Sequence, residues 1–169
     1  MFKWIIDDHD WNLTIFSDKK HFTMDGPGNW STYVMPGEST VRERRQRKGG
    51  GIMVWLMTFP NGLLAYRIIR NKFKAVNYIG MIQDKLVPCM RLNYGKKFFF
   101  QENNCAVHKA KIVKDFMAAN HVNVLKWPAK SPDLKISEDV WKLISDIVYN
   151  RPSFQKMTDL EKAIVDYSL

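Results

Sequence analysis

Three positions in this chain could share one piece of chemistry: Asp18, Asn103 and Glu138. Asp18 closes the first alternating apolar run, WNLTIFSD (Trp11–Asp18). Asn103 follows three consecutive phenylalanines in KKFFFQENNCAVH (Lys96–His108), and Glu138 opens an amphipathic stretch that begins at Ile136. If the first two runs are neighbouring strands, their ends lie roughly 5 Å apart. A helix N-terminus packed beside them can deliver a third group. Three carboxylates so placed would hold two divalent cations for in-line phosphoryl transfer, one activating the attacking oxygen and one stabilising the leaving oxygen. Magnesium suits such a site because it takes oxygen ligands and keeps waters. The middle position is the anomaly, since Asn103 is an amide where this chemistry wants an acid.

The elements that must position these groups can be read from periodicity. Trp11, Leu13 and Ile15 alternate with polar neighbours, which predicts a strand ending at Asp18. A Lys-Lys turn and a short second strand, Phe22–Met24, follow, and Asp25–Asn29 (DGPGN) is a turn signal. After a polar loop containing Trp30 and Tyr33, Gly49–Gly51 leads into a strand over Ile52–Phe59. Pro60-Asn61-Gly62 then predicts a hairpin, with Leu63–Ile69 as the partner strand. Phe73–Met90 has helical spacing, Phe98–Phe100 reads as a strand buried on both faces, and His108–Asn120 is a second helix. Val122–Trp127 is a short strand, Ile136–Val148 a third helix, and Thr158–Tyr167 a terminal helix with Thr158 and Glu161 spaced as a capping box. A strand meander followed by alternating helices and strands implies an α/β protein with a mixed sheet and helices packed on it.

Composition narrows the class further. The chain has 169 residues, 46% of them hydrophobic, which suits one globular domain spanning residues 1–169. Against 17 acids stand 26 Lys and Arg, giving a net charge of +9, and such a balance favours a polyanionic partner such as nucleic acid. The densest basic run is Arg42–Lys48, in which Arg42, Arg44, Arg45, Arg47 and Lys48 carry charge. It is either a solvated loop or a DNA contact. Cys89 and Cys105 form no metal-ligand pair, so reduced thiols are expected. The longest apolar run, Ile52–Met57, is far short of a membrane span, and no signal-peptide pattern opens the chain. These features point to an intracellular protein with no membrane partner.

Four ordered segments give the chain a resemblance to the catalytic domain of mariner-type DNA transposases, the "DDE" cut-and-paste enzymes. FSDKKHF (Phe16–Phe22) resembles the family's F-S-D-E-x-x-F strand, and GGGIMVW (Gly49–Trp55) its G-G-G-x-M-V-W strand. QENNCAVH (Gln101–His108) is similar to Q-x-D-N-A-P-x-H, and WPAKSPDLKISEDVW (Trp127–Trp141) to W-P-x-x-S-P-D-L-N-P-I-E-x-x-W. Between Asn103 and Glu138 lie 34 residues (104 to 137), the separation of one large branch of that family. The resemblance implies a ribonuclease H-like fold with a mixed five-stranded sheet and helices on both faces. It implies DNA cleavage and strand transfer with two Mg2+ or Mn2+ ions, no small-molecule cofactor, DNA as partner, a nuclear location, and room for a homodimer. It makes Asp18 the first metal ligand and Glu138 the third, with Asn103 at the place of the second. It sets His108 at the site edge and gives the Gly49–Gly51 run and the loop before it to DNA and subunit contacts.

The departures from the family pattern carry their own expectations. With Asn103, two dications would face two carboxylates instead of three, and one metal would be held weakly. Glu102 is the obvious substitute, but strand alternation turns it to the other face. Lys135, Ile136 and Ser137 replace the family's Asn, Pro and Ile, so the third helix starts with poorer caps and a positive charge stands near the site. The family's paired helix-turn-helix domains are not in this sequence, and the chain stops near the Thr158 helix. The resulting expectation is a transposase catalytic domain with impaired or lost activity. The alternatives are a non-catalytic nucleic-acid or protein interaction module built on the same fold, and a transposon relic.

Overall fold

The computed structural model describes residues 10–24, 26, 50–70, 72–92, 98–127, 135–150 and 154–167. Five strands build one sheet: β1 (Thr14–Thr23), β2 (Gly51–Phe59), β3 (Gly62–Ile69), β4 (Phe99–Gln101) and β5 (Asn123–Val124). Among the described residues, four α-helices accompany it: α1 (Ala75–Leu92), α2 (Lys111–Ala119), α3 (Ile136–Val148) and α4 (Met157–Tyr167). The strand order is β3-β2-β1-β4-β5. β1, β2 and β3 pair antiparallel, while β4 runs parallel to both β1 and β5, so the sheet is mixed as expected.

Side-chain alternation along the strands divides the interior into two cores. Ile15, Trp55, Met57 and Phe100 pack against α1 and α2 through Tyr78, Ile82, Leu86 and Val113. Phe22, Val54 and Leu56 face the other way, onto Trp141, Ile144 and Val148 of α3 and Leu160 and Ile164 of α4. Odd-numbered residues of β1 therefore look toward α1, and even-numbered residues look toward α3. This parity decides which side of the sheet each candidate group occupies.

Several expected boundaries move. Trp11–Leu13 form a single 3-10 turn, capped by Asp10 Oδ1, which accepts the Asn12 amide at 3.0 Å. The Lys-Lys turn does not exist: Lys19 and Lys20 lie inside the ten-residue strand β1, because β2 pairs with it from Phe16↔Thr58 through to Thr23↔Gly51. Asp18 is thus mid-strand, opposite Leu56, and not at a strand end. The second helix begins at Lys111, three residues beyond His108, with turns before it and no side-chain cap at Ala110. β5 is only Asn123–Val124, although Leu125 N still donates to Phe100 O at 2.9 Å. Thr158 lies within α4 and does not cap it; Glu161 pairs with Arg70 instead. The hairpin at Pro60-Asn61-Gly62 holds, with Gly62 at φ +142, a value that favours glycine. The DGPGN turn apart from Gly26, the basic run Arg42–Lys48 and the loop with Trp30 and Tyr33 lie outside the described residues.

Candidate active site

The site grows from the middle of β1. Asp18 has even parity, so its carboxylate enters the α3 side of the sheet, where it is 9% exposed. Both oxygens are occupied. Oδ1 lies 3.0 Å from Lys135 Nζ, and Oδ2 accepts the Trp141 indole N–H at 3.2 Å. The Lys135 ammonium also donates to the Ser17 carbonyl at 3.1 Å and is itself buried. Lys135 is the N-cap residue of α3, and it supplies no side-chain cap; its side chain runs inward to β1 instead.

Asn103 reaches the same carboxylate. β4 pairs in parallel with β1 at Phe16↔Gln101, so two residues further on each chain Asn103 faces Asp18. Its Nδ2 donates to Asp18 Oδ1 at 3.5 Å, and its Oδ1 accepts the Cys105 amide at 3.3 Å. This is a long contact beside the shorter ones that Lys135 and Trp141 make to the same carboxylate. Glu138 sits in the first turn of α3, one helical turn before Trp141, and is exposed. Its backbone N–H donates to the Lys135 carbonyl at 2.9 Å. Lys20, two residues beyond Asp18 on the same face of β1, is half-buried; burial lowers its pKa, and Glu138, Asp146 and Asp18 push it back up.

The opposite face carries a cluster that sequence reasoning missed. Glu102 has the parity of Phe100, so it turns to the α1 side as expected, and there it meets Tyr78 and His108. The Tyr78 hydroxyl donates to Glu102 Oε2, and the Tyr78 ring stacks on His108 with centroids 4.4 Å apart. Burial raises the Glu102 pKa to about 7, against which the Tyr78 hydrogen bond pulls down. Burial also lowers His108 to about 4, opposed by its hydrogen bond to Asn103. The Asn103 carbonyl can only accept, so His108 Nδ1 carries the proton and donates to it at 2.8 Å. The 3.6 Å approach of His108 Nδ1 to Glu102 is therefore a contact of two neutral groups near pH 5.5, and not an ion pair. Desolvation and the neighbouring carboxylate push the Tyr78 phenol well above its ordinary range. A signal was present: an acid sharing a strand face with Phe98 and Phe100 must find a buried partner.

His108 therefore supports the Asn103 backbone from beneath, and Lys19 covers the same flank with its ammonium 3.8 Å from the Phe73 ring centroid. Trp55, 1% exposed, is packing and donates to Ser17 Oγ at 2.8 Å. Among the described residues, no group of three or more His, Cys, Asp or Glu is placed to hold a metal ion. The donor set explains this. Of the two candidate carboxylates, Asp18 pairs with a buried ammonium, and the third candidate, Asn103, is an amide whose N–H₂ points at Asp18. The residues as arranged do not fit a two-cation site.

Comparison with known proteins agrees with this architecture. A sequence model of the family described as DDE superfamily endonuclease matches residues 14–161. The Tc3 transposable element transposase of Caenorhabditis elegans is 30% identical over 160 residues, covering 93% of this chain and 49% of that protein. The Tcb2 transposase of Caenorhabditis briggsae is 28% identical over 138 residues, covering 79% of this chain and 50% of its own length. The chain thus spans about half the length of the curated relatives it matches. Among solved structures, the Mos1 transposase paired-end complex with left transposon end superposes with a TM-score of 0.74 at 20% identity, covering 98% of this chain and 50% of that one. The Mos1 catalytic domain with Raltegravir and Mg gives 0.68 at 15% identity, covering 98% and 74%. The mixed sheet with helices on both faces is accordingly ribonuclease H-like. With the family matched from residue 14 to residue 161, the chain belongs to the DDE superfamily of endonucleases.

Proposed function

We propose that this chain is a transposase catalytic domain descended from metal-dependent DNA cleavage and strand transfer, and that its phosphoryl-transfer step is strongly impaired. The observation that carries the reading is the Asn103 amide facing Asp18 from the position where the second acid belongs. Asp18, Asn103 and Glu138 are the descendants of the acidic triad, and Mg2+ or Mn2+ is the cofactor the ancestor used. DNA is the partner, held through phosphates by basic side chains, with Arg42, Arg44, Arg45, Arg47 and Lys48 as the densest run in the sequence. Action on DNA places the protein in the nucleus, and a homodimer is the assembly that paired transposon ends call for. The test is plasmid nicking in Mg2+ and in Mn2+, alongside DNA binding by fluorescence anisotropy. The reading expects salt-sensitive DNA binding at 50 mM salt and no nicking above background. Nicking that disappears in Asp18→Asn would overturn the impairment, and absence of DNA binding would overturn the descent of function.

A second reading is favoured by one observation, the buried Lys135–Asp18 pair at the centre of the site. It makes the domain a non-catalytic interaction module on the transposase fold. A DNA mobility shift with the same midpoint in EDTA and in Mg2+ supports the module; a shift that requires the metal contradicts it.

A further inference from the structure

We infer that Lys135 has taken over the place and the electrostatic role of a cation beside Asp18, so that the centre of this site is held together by an internal ammonium and is closed to divalent ions by two residues, Lys135 and Asn103. The inference rests on the proposed descent of Asp18 and Glu138 from metal ligands. It goes beyond that reading because it assigns the present work of the site to a side chain that the ancestral chemistry did not use.

The geometry is specific. Lys135 Nζ is 3.0 Å from Asp18 Oδ1 and 3.1 Å from the Ser17 carbonyl, and the two charged side chains are 6% and 10% exposed. A strongly hydrated ammonium enters such a pocket only where oxygens replace its water, and here a carboxylate and a carbonyl do so. A cation bound to Asp18 would sit about 2.0–2.1 Å from an oxygen. Around Oδ1 that shell is shared with the ammonium and with the Asn103 amide N–H₂, both of which present positive hydrogens. Oδ2 accepts the Trp141 N–H, which takes up one of its lone-pair directions. Lys20 adds a second ammonium on the same sheet face, within electrostatic reach of Glu138 and Asp18. Two lysines thus stand beside the candidate acids, Lys135 on Asp18 and Lys20 within electrostatic reach of both. Restoring the single acid at position 103 leaves the ammonium in place, so one substitution does not reopen the site.

The test compares melting temperatures in EDTA and in MnCl2 or MgCl2 for the wild type, Asn103→Asp, Lys135→Asn and the double variant N103D/K135N. The wild type and N103D are expected to melt at the same temperature with and without metal. K135N is expected to melt lower in EDTA, because it leaves a buried carboxylate without a counter-charge. The double variant is expected to gain about 5–11 °C from metal at a hundredfold excess over its dissociation constant. A metal-induced rise in N103D as large as that in the double variant overturns the inference, as does any such rise in the wild type. If the Lys135 variants do not fold, the wild type and N103D decide alone: no rise in either upholds it, and a rise in N103D defeats it. The inference and the proposed function fail separately. Loss of DNA binding removes the latter and leaves the metal response untouched.

Discussion

Replacing Glu102 by Gln should stabilise this protein at alkaline pH and leave it nearly unchanged in acid. Glu102 is 11% exposed at its side chain, so solvent screens it little. Burial lifts its pKa from 4.5 to about 7. A carboxyl whose pKa is raised on folding binds its proton more tightly in the native state. Its favourable contribution is complete below pH 4.5 and is lost as pH rises through about 7. At about 1.4 kcal/mol for each pH unit between those values, the ionised side chain destabilises the fold by about 3 kcal/mol above pH 8. Gln mimics the neutral acid and can still accept the Tyr78 hydroxyl through Oε1. Urea denaturation at pH 4.5 and pH 8.5 measures the effect, expected near zero at the first and about 3 kcal/mol stabilising at the second. His108 supplies an internal check. Its pKa falls from 6.5 to about 4, so its contribution is present above pH 6.5 and is lost as pH falls through about 4. Between pH 4.5 and 6.5 the two slopes oppose each other in the wild type, and the Gln variant exposes the His108 slope, with stability rising as pH rises. A Glu102→Gln protein equally stable relative to wild type at both pH values would refute the reasoning.

Other parts of the account make smaller claims. Trp141→Phe removes the donor to Asp18 Oδ2 from a residue 1% exposed, and urea denaturation should show a loss of about 1.5–3 kcal/mol; a loss below about 0.5 kcal/mol would mean the bond contributes nothing. Gly51→Ala places a methyl 2.5 Å from the Phe22 carbonyl oxygen and from the His21 ring, so thermal melting should register a loss of about 1–3 kcal/mol. Arg70→Ala breaks a pair with Glu161 whose side chains are 69% and 26% exposed. The loss there should stay below about 1 kcal/mol and vanish in 1 M salt.

The sheet was legible because its strands carry their burial in their order of side chains. The hairpin signal at Pro60-Asn61-Gly62 between the apolar runs Ile52–Phe59 and Leu63–Ile69 needs no tertiary knowledge, whereas the alternation read from Trp11 overshoots the strand, which begins at Thr14 after a 3-10 turn. Ile136–Val148 was placed to the residue because its apolar spacing is unbroken. The Lys19-Lys20 pair misled because two adjacent cations look like a turn. In the fold, Lys19 lies over Phe73 and Lys20 lies 5.9 Å from the Phe22 ring centroid, and the long aliphatic stems let both stay in the strand. The second helix starts at Lys111 because the residues before it are held in hydrogen-bonded turns, His108 N to Cys105 O and Ala110 N to Val107 O.

The site was legible in part for the same reason. Parity alone separates Asn103 from Glu102 and sends each to its own core. A positive charge near the site could be read from Lys135, but its direction could not, because an N-cap lysine ordinarily extends into water. Only the meeting of α3 with β1 brings Nζ to Asp18. The Tyr78–Glu102–His108 cluster was hidden because its members lie on α1, beyond β4 and before α2, and their approach depends on helix packing.

The most direct test of the central claim, that an ammonium and an amide stand where cations would, is anomalous diffraction from crystals of the wild-type protein grown with MnCl2. The account predicts no anomalous peak beside Asp18 and continuous density from Lys135 to its carboxylate. A manganese peak within about 2.2 Å of an Asp18 oxygen, with Lys135 displaced from the site, would contradict it.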